Sequence, residues 1–182
     1  MAKHAVIVVD LENEYLPTGN LPLVGIEEAV ANAVRVIDSA RRAGDLVINI
    51  RHESSDPDSP LFNASTPGVQ FMDAVLPQGD EPVIVKHFPN SFLKTDLSSI
   101  LDKHGITDVT IVGAMSHMCI DATTRAASDL GYKVTVVHDA CATLDLEFKG
   151  HTIPAAHVHN TLMAALAFAY AEVVSTQEYV AA

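Results

Sequence analysis

Cysteine is scarce in this 182-residue chain: Cys119 and Cys141 are the only two, which limits disulfide bonding to one bridge. Each follows an apolar β-branched run and neither belongs to a cysteine-dense, loop-rich frame, so both read as free thiols of a reducing cytoplasm. Positive charge is scarce too. Eleven Lys and Arg stand against 23 Asp and Glu, a formal net charge of −12. Binding nucleic acid or an anionic bilayer draws on Lys/Arg clusters that this chain lacks, so a small molecule is the expected ligand. The longest apolar run, residues 162–171, is ten residues, well short of the ~20 that span a membrane. No secretory signal opens the sequence, because the apolar stretch at residues 4–9 ends on Asp10 with no cleavage site after it. A soluble cytoplasmic protein is expected. There is no repeat, low-complexity tract or interdomain linker, and residues 1–182 read as one domain. A chain of this length buries roughly 70% of its unfolded surface, so it needs neither disulfide nor metal to hold a core.

What the sequence does hold is an alternation of apolar β-branched runs with segments of helical period, the pattern of a parallel sheet covered on both faces. Strands are predicted at 4–9, 46–51, 82–85, 108–113, 133–138 and 172–175, and helices at 25–43, 93–103, 119–130 and 154–170. Gly44, Gly105 and Gly131 follow three of those helices, where a helix end favours a residue that accepts positive φ. The polar, Pro-rich stretch 52–67 is the one long irregular segment, readable as an active-site wall or lid or as a surface excursion.

Chemistry emerges when strand ends are compared. Asp10 ends the first strand, Lys86 the third, and Cys119 opens the helix after the fourth. In a doubly wound sheet these ends share the carboxyl edge, where ligands bind at the reversal of strand order. Singly, Asp10 reads equally as a turn cap, Lys86 as a solvated surface group and Cys119 as a small buried hydrophobe. Together they form a set: a carboxylate that takes a thiol proton, an ammonium that favours thiolate, and a thiol at a helix N-terminus, where the macrodipole also favours thiolate.

Three blocks carry a resemblance. They are Val-Val-Asp10 with Glu-Asn-Glu-Tyr after Leu11, Val85-Lys86 with Asn90-Ser91-Phe92 and Thr95-Asp96-Leu97, and Gly113-Ala114-Met115-Ser116-His117-Met118-Cys119 with Ala122-Thr123 and Arg125-Ala126-Ala127. In order and spacing they resemble the isochorismatase-like cysteine hydrolases over nearly the whole chain. The resemblance implies a three-layer doubly wound α/β fold with a six-stranded sheet of order 3-2-1-4-5-6, and a catalytic triad of Asp10, Lys86 and Cys119. It also implies a cis peptide at Ala114–Met115, which turns the backbone N–H of Met115 with that of Cys119 toward an oxyanion. The activity implied is hydrolysis of an amide or carbamoyl-type C–N bond through a Cys119 thioester. Two alternatives stay open, vinyl-ether hydrolysis of isochorismate, which Cys119 disfavours, and a non-catalytic binding protein on the same scaffold, which the intact triad disfavours.

The chain also departs from that pattern. Relatives that bind a metal carry Asp-x-His after the second strand, whereas Arg51-His52-Glu53 stands here, so neither metal nor cofactor is expected, nicotinamide is disfavoured, and His52 reads as a loop or substrate-wall residue. Glu12 stands where many relatives have Gln, which places a second carboxyl beside Asp10. His151, His157 and His159 fall on different helical faces and do not read as a metal cluster. Cys141 reads as structural. By position, Tyr15, Leu16, Phe62, Phe88, Phe92 and His117 are candidate substrate walls. Residues 162–171 are apolar on every face, so that helix is expected either to be buried all round or to meet another subunit in a homo-oligomer, dimer or tetramer.

Overall fold

The computed structural model describes residues 3–181. The sheet forms around β1 (His4–Val9), which is buried along its length after His4. The run does not alternate because both faces are covered: Ala5, Ile7 and Val9 pack on one side with Leu97, Leu101, Ile120 and Leu166, and Val6 and Val8 on the other with Val36 and Ile37. β2 (Leu46–His52), β3 (Val83–Lys86), β4 (Asp108–Ala114), β5 (Lys133–Ala142) and β8 (Glu172–Val174) complete a six-stranded sheet of order β3-β2-β1-β4-β5-β8, every pair parallel. β6 (Leu146–Phe148) and β7 (His151–Ile153) form a separate antiparallel hairpin. The last sheet strand is therefore eighth in the chain but sixth in the sheet, and the order is the one the resemblance implies.

Helices cover both faces. α1 (Ile26–Ala43) buries Ile26, Ala29, Val30, Ala33, Val36, Ile37 and Ala40, the three-four spacing of one helical stripe, with Glu27 and Glu28 in its first turn and Arg41 and Arg42 in its last. α2 (Leu97–His104), α3 (Asp121–Asp129), α4 (Ala155–Ala169) and the short α5 (Thr176–Ala181) follow.

Two predicted elements start elsewhere. The helix expected from residue 93 begins at Leu97, because Lys94 has φ +56° and Asn90 Oδ1 accepts the Phe92 N–H at 2.9 Å, a local turn incompatible with a right-handed helix. The helix expected from residue 119 begins at Asp121, behind a π-helical turn over Ser116–Ile120. Cys119 thus lies inside that turn and not at the helix mouth. β5 runs on to Ala142, so Cys141 is a strand residue, paired with Gly113.

Candidate active site

Parallel pairing on either side of β1 sends β2 and β3 one way and β4 and β5 the other, and the ends of these strands meet at that reversal. Asp10 follows β1 with φ +52°, a left-handed conformation uncommon for a residue with a Cβ, and its N–H donates to Ile50 O at 3.0 Å. Lys86 ends β3, two strand spacings or roughly 10 Å from β1. Its long stem crosses the end of β2 to reach Asp10. Nζ lies 2.7 Å from Asp10 Oδ2 and 3.2 Å from Cys119 Sγ. Asp10 and Lys86 are fully buried and Cys119 is 5% exposed. The three side chains singled out from strand ends are in mutual contact.

Electrostatics at this point are dominated by burial. Burial raises the Asp10 carboxyl pKa above its ordinary value, and Lys86 only partly offsets this. Burial works against the Lys86 ammonium, but Asp10 and Cys119 beside it outweigh that and hold its pKa up. The Cys119 thiol is pushed far up by burial and by the Asp10 charge, with Lys86 pulling the other way. The Cys119 sulfur stands against the Lys86–Asp10 ion pair.

Glu12 is also fully buried. Its Oε1 accepts the His52 backbone N–H at 2.5 Å, and burial, then the Asp10 charge, push its pKa up to about 10. It is therefore neutral near pH 7, and so adds no second charge to Asp10.

The wall is aromatic. Tyr15 is buried edge-on to Phe62, centroids 5.6 Å apart, and Phe62 meets His52 edge-on at 4.9 Å. Burial and the nearby Asp10 and Cys119 raise the Tyr15 hydroxyl pKa, which places that residue beside the three. Within the 52–67 segment, His52 and Phe62 reach this wall; Ser54 N–H donates to Phe62 O at 2.8 Å, and Phe62 itself is held at φ +54°. Leu16 packs against the same apolar cluster. His117 is half-buried, its Nδ1 2.6 Å from Thr143 Oγ1 and its pKa lowered by burial. Of the other two wall candidates, Phe88 lies under the Lys94 ammonium at 5.3 Å, and Phe92 stacks on Tyr132 at 6.1 Å against the apolar cluster that also holds Cys119.

Among the described residues, the one group of metal-type ligands is Asp10, His52 and Cys119, whose ligand atoms lie within 4.8 Å of one another. Lys86 Nζ already touches all three, with His52 Nδ1 at 3.1 Å. The ammonium fills the position a cation would take. His159 Nδ1 lies 2.8 Å from Ser116 Oγ, tying α4 to the turn that carries Cys119. The peptide Ala114–Met115 is cis. Sequence reasoning missed the His52–Lys86 contact; its signal is the β2–β3 register, which pairs those two residues.

Comparison with known proteins agrees with this fold. The family description Isochorismatase domain matches residues 4–178. The uncharacterized isochorismatase family protein YddQ of Bacillus subtilis is 41% identical over 96% of this chain and 97% of its own length. Streptothricin hydrolase of Streptomyces noursei is 34% identical over 84% of this chain, which spans 55% of that longer protein. Among solved structures, a putative isochorismatase hydrolase from Oleispira antarctica superposes with a TM-score of 0.95 at 46% identity, covering 99% of this chain and 97% of its own. N-carbamoylsarcosine amidase from Thermoplasma acidophilum gives 0.81 at 26% identity, covering 96% of each chain. The chain belongs to the isochorismatase family, as a hydrolase.

Proposed function

We propose that this hydrolase cleaves a C–N bond, amide or carbamoyl-type, of a small molecule by thiol catalysis, with Asp10, Lys86 and Cys119 as the catalytic triad. The observation that carries the reading is the buried Lys86 ammonium in contact with both the Asp10 carboxylate and the Cys119 sulfur. It is supported by two relatives, one named a hydrolase of streptothricin and one named an amidase.

Asp10 takes the thiol proton as the sulfur attacks the carbonyl carbon, so a C–S bond forms while negative charge moves to oxygen. Lys86 stabilises the sulfur until the bond is made. The N–H groups of Met115 and Cys119 receive the oxyanion, a contribution worth about 3–4 kcal/mol per donor in other enzymes. Collapse breaks the C–N bond, and the amine leaves with the proton held on Asp10. Water then gives a proton to the same carboxylate, adds to the thioester carbon and expels the sulfur, which regains its proton as the acid departs.

A panel of small amides, ureas and carbamoyl compounds, followed by ammonia or amine release, tests this. We expect Cys119→Ser to fold and to lose at least about a thousandfold in kcat, and activity to survive exhaustive chelation. Turnover unchanged in Cys119→Ser, or activity lost with a stoichiometric metal, overturns the reading.

A further inference from the structure

An ammonium carries three N–H bonds, and any one buried without an acceptor costs free energy. Lys86 is wholly buried, with an ion-pair partner in Asp10 Oδ2 at 2.7 Å and a hydrogen-bond acceptor in Cys119 Sγ at 3.2 Å. The third partner is His52 Nδ1, 3.1 Å from Nζ. Because an ammonium only donates, Nδ1 must hold a lone pair, which places the ring proton on Nε2. The residue is held elsewhere as well. The His52 backbone N–H donates to Glu12 Oε1 at 2.5 Å, and its imidazole meets Phe62 edge-on at 4.9 Å. Parallel pairing sets His52 opposite Lys86 across β2 and β3, so the lysine stem passes the imidazole on its way to Asp10.

We propose that His52 is a positioning residue for Lys86: as the third partner of the buried ammonium, it holds Nζ where that atom touches Asp10 and Cys119 at once. The inference rests on the reading of Cys119 as the nucleophile. Carboxylate is a stronger acceptor than sulfur, so without the imidazole the ammonium settles on Asp10 and the thiol loses the charge that favours its ionisation. The imidazole is suited to the task because it stays neutral. Burial, then Lys86 and His87, hold its pKa down at about 4. The other ionisable groups around this point are Asp10, Glu12 and Tyr15 after β1, Arg51 on β2, and His87 after β3. His117 lies in the turn of Cys119 itself.

The test needs no substrate. The rate of Cys119 alkylation by iodoacetamide, followed by peptide mass mapping, is measured against pH in the unmodified protein and in His52→Ala, His52→Leu, His52→Asn and Lys86→Met. Labelling follows the thiolate fraction. We expect His52→Ala and His52→Leu to move the profile about one pH unit alkaline, roughly a tenfold loss at neutral pH. His52→Asn, whose Oδ1 takes the place of Nδ1, should stay within about threefold of the unmodified protein. His52→Leu keeps bulk against Phe62 and carries the test alone if the alanine variant does not fold. A merely structural role for His52 would lower the melting temperature of these variants without moving the profile. An unmoved profile in His52→Leu while Lys86→Met shifts it overturns the proposal and leaves the triad standing, as does an asparagine variant that behaves like leucine. An unmoved profile in Lys86→Met overturns the coupling of Lys86 to Cys119, and this inference with it.

Discussion

Glu12 and Asp10 place two carboxyls in one buried turn, and only one of them has a cation to answer it. With a folded-state pKa raised to about 10 against an ordinary 4.5, Glu12 takes up a proton on folding across the intervening pH range. The sign follows from linkage: the unfolded chain releases that proton above its ordinary pKa and the folded chain does not, so folding is penalised progressively as pH rises from about 4.5. Glu12→Gln keeps an oxygen for the His52 N–H and removes the titration. It should be nearly neutral in stability near pH 4 and gain on the order of a few kcal/mol near pH 8 in urea unfolding. Equal effects at the two pH values would refute the buried, neutral acid. At this scale the sequence was legible where a residue type and a strand end coincide. Asp10 after β1 and Lys86 at the end of β3 follow from that. The part of His52 did not, because a side-chain contact across β2 and β3 depends on register, which the apolar pattern of a fully buried sheet leaves open.

Among elements, β4 carries the tightest constraint. Gly113, at φ +129°, lies where an added Cβ would come within 1.9 Å of Val9 O on β1, and it immediately precedes the cis peptide and the turn of Cys119. Val9 C and N lie within 3 Å of it as well, so the obstacle is backbone and neither strand can yield without moving the other. Gly131, at φ +93°, has nothing within 4 Å of the same added atom. Gly113→Ala is expected to cost roughly 3 kcal/mol or more, or to prevent folding, and Gly131→Ala only about 1 kcal/mol for its backbone conformation. Similar unfolding midpoints for the two variants would refute the difference. Long periodic elements such as α1 were readable to within a residue or two. The β6–β7 hairpin was not, because three-residue strands are too short to show a period, and its turn uses Lys149-Gly150, both at positive φ, where Asn-Gly or Asp-Gly would have announced it.

At the scale of the molecule, α4 is buried on one side only. Val158, Met163 and Leu166 face the sheet, whereas Ala164, Ala165, Ala167 and Ala169 are exposed and Phe168 is 92% exposed. Burial within the subunit, one of the two explanations for an all-apolar run, is thereby excluded. A homo-oligomer remains our expectation, since a helix this apolar on its outer face gains by covering it. Light scattering at micromolar concentration should give two or four times the 19.4 kDa of one chain, and Ala167→Glu or Phe168→Asp should return it to one. A mass near 19.4 kDa for the unmodified protein would refute assembly.

The pairing of β1 with β4 has a consequence for how the chain is made. His4 pairs with Asp108, 104 residues later, while the other edge of β1 pairs with β2 from Leu46 onward. During synthesis the central strand therefore waits with one edge open until more than half the chain has left the ribosome, a non-local closure that is slow to find and exposes a row of free N–H and C=O groups meanwhile. The strand that ends at Asp10 is the one most open to wrong partners while it waits.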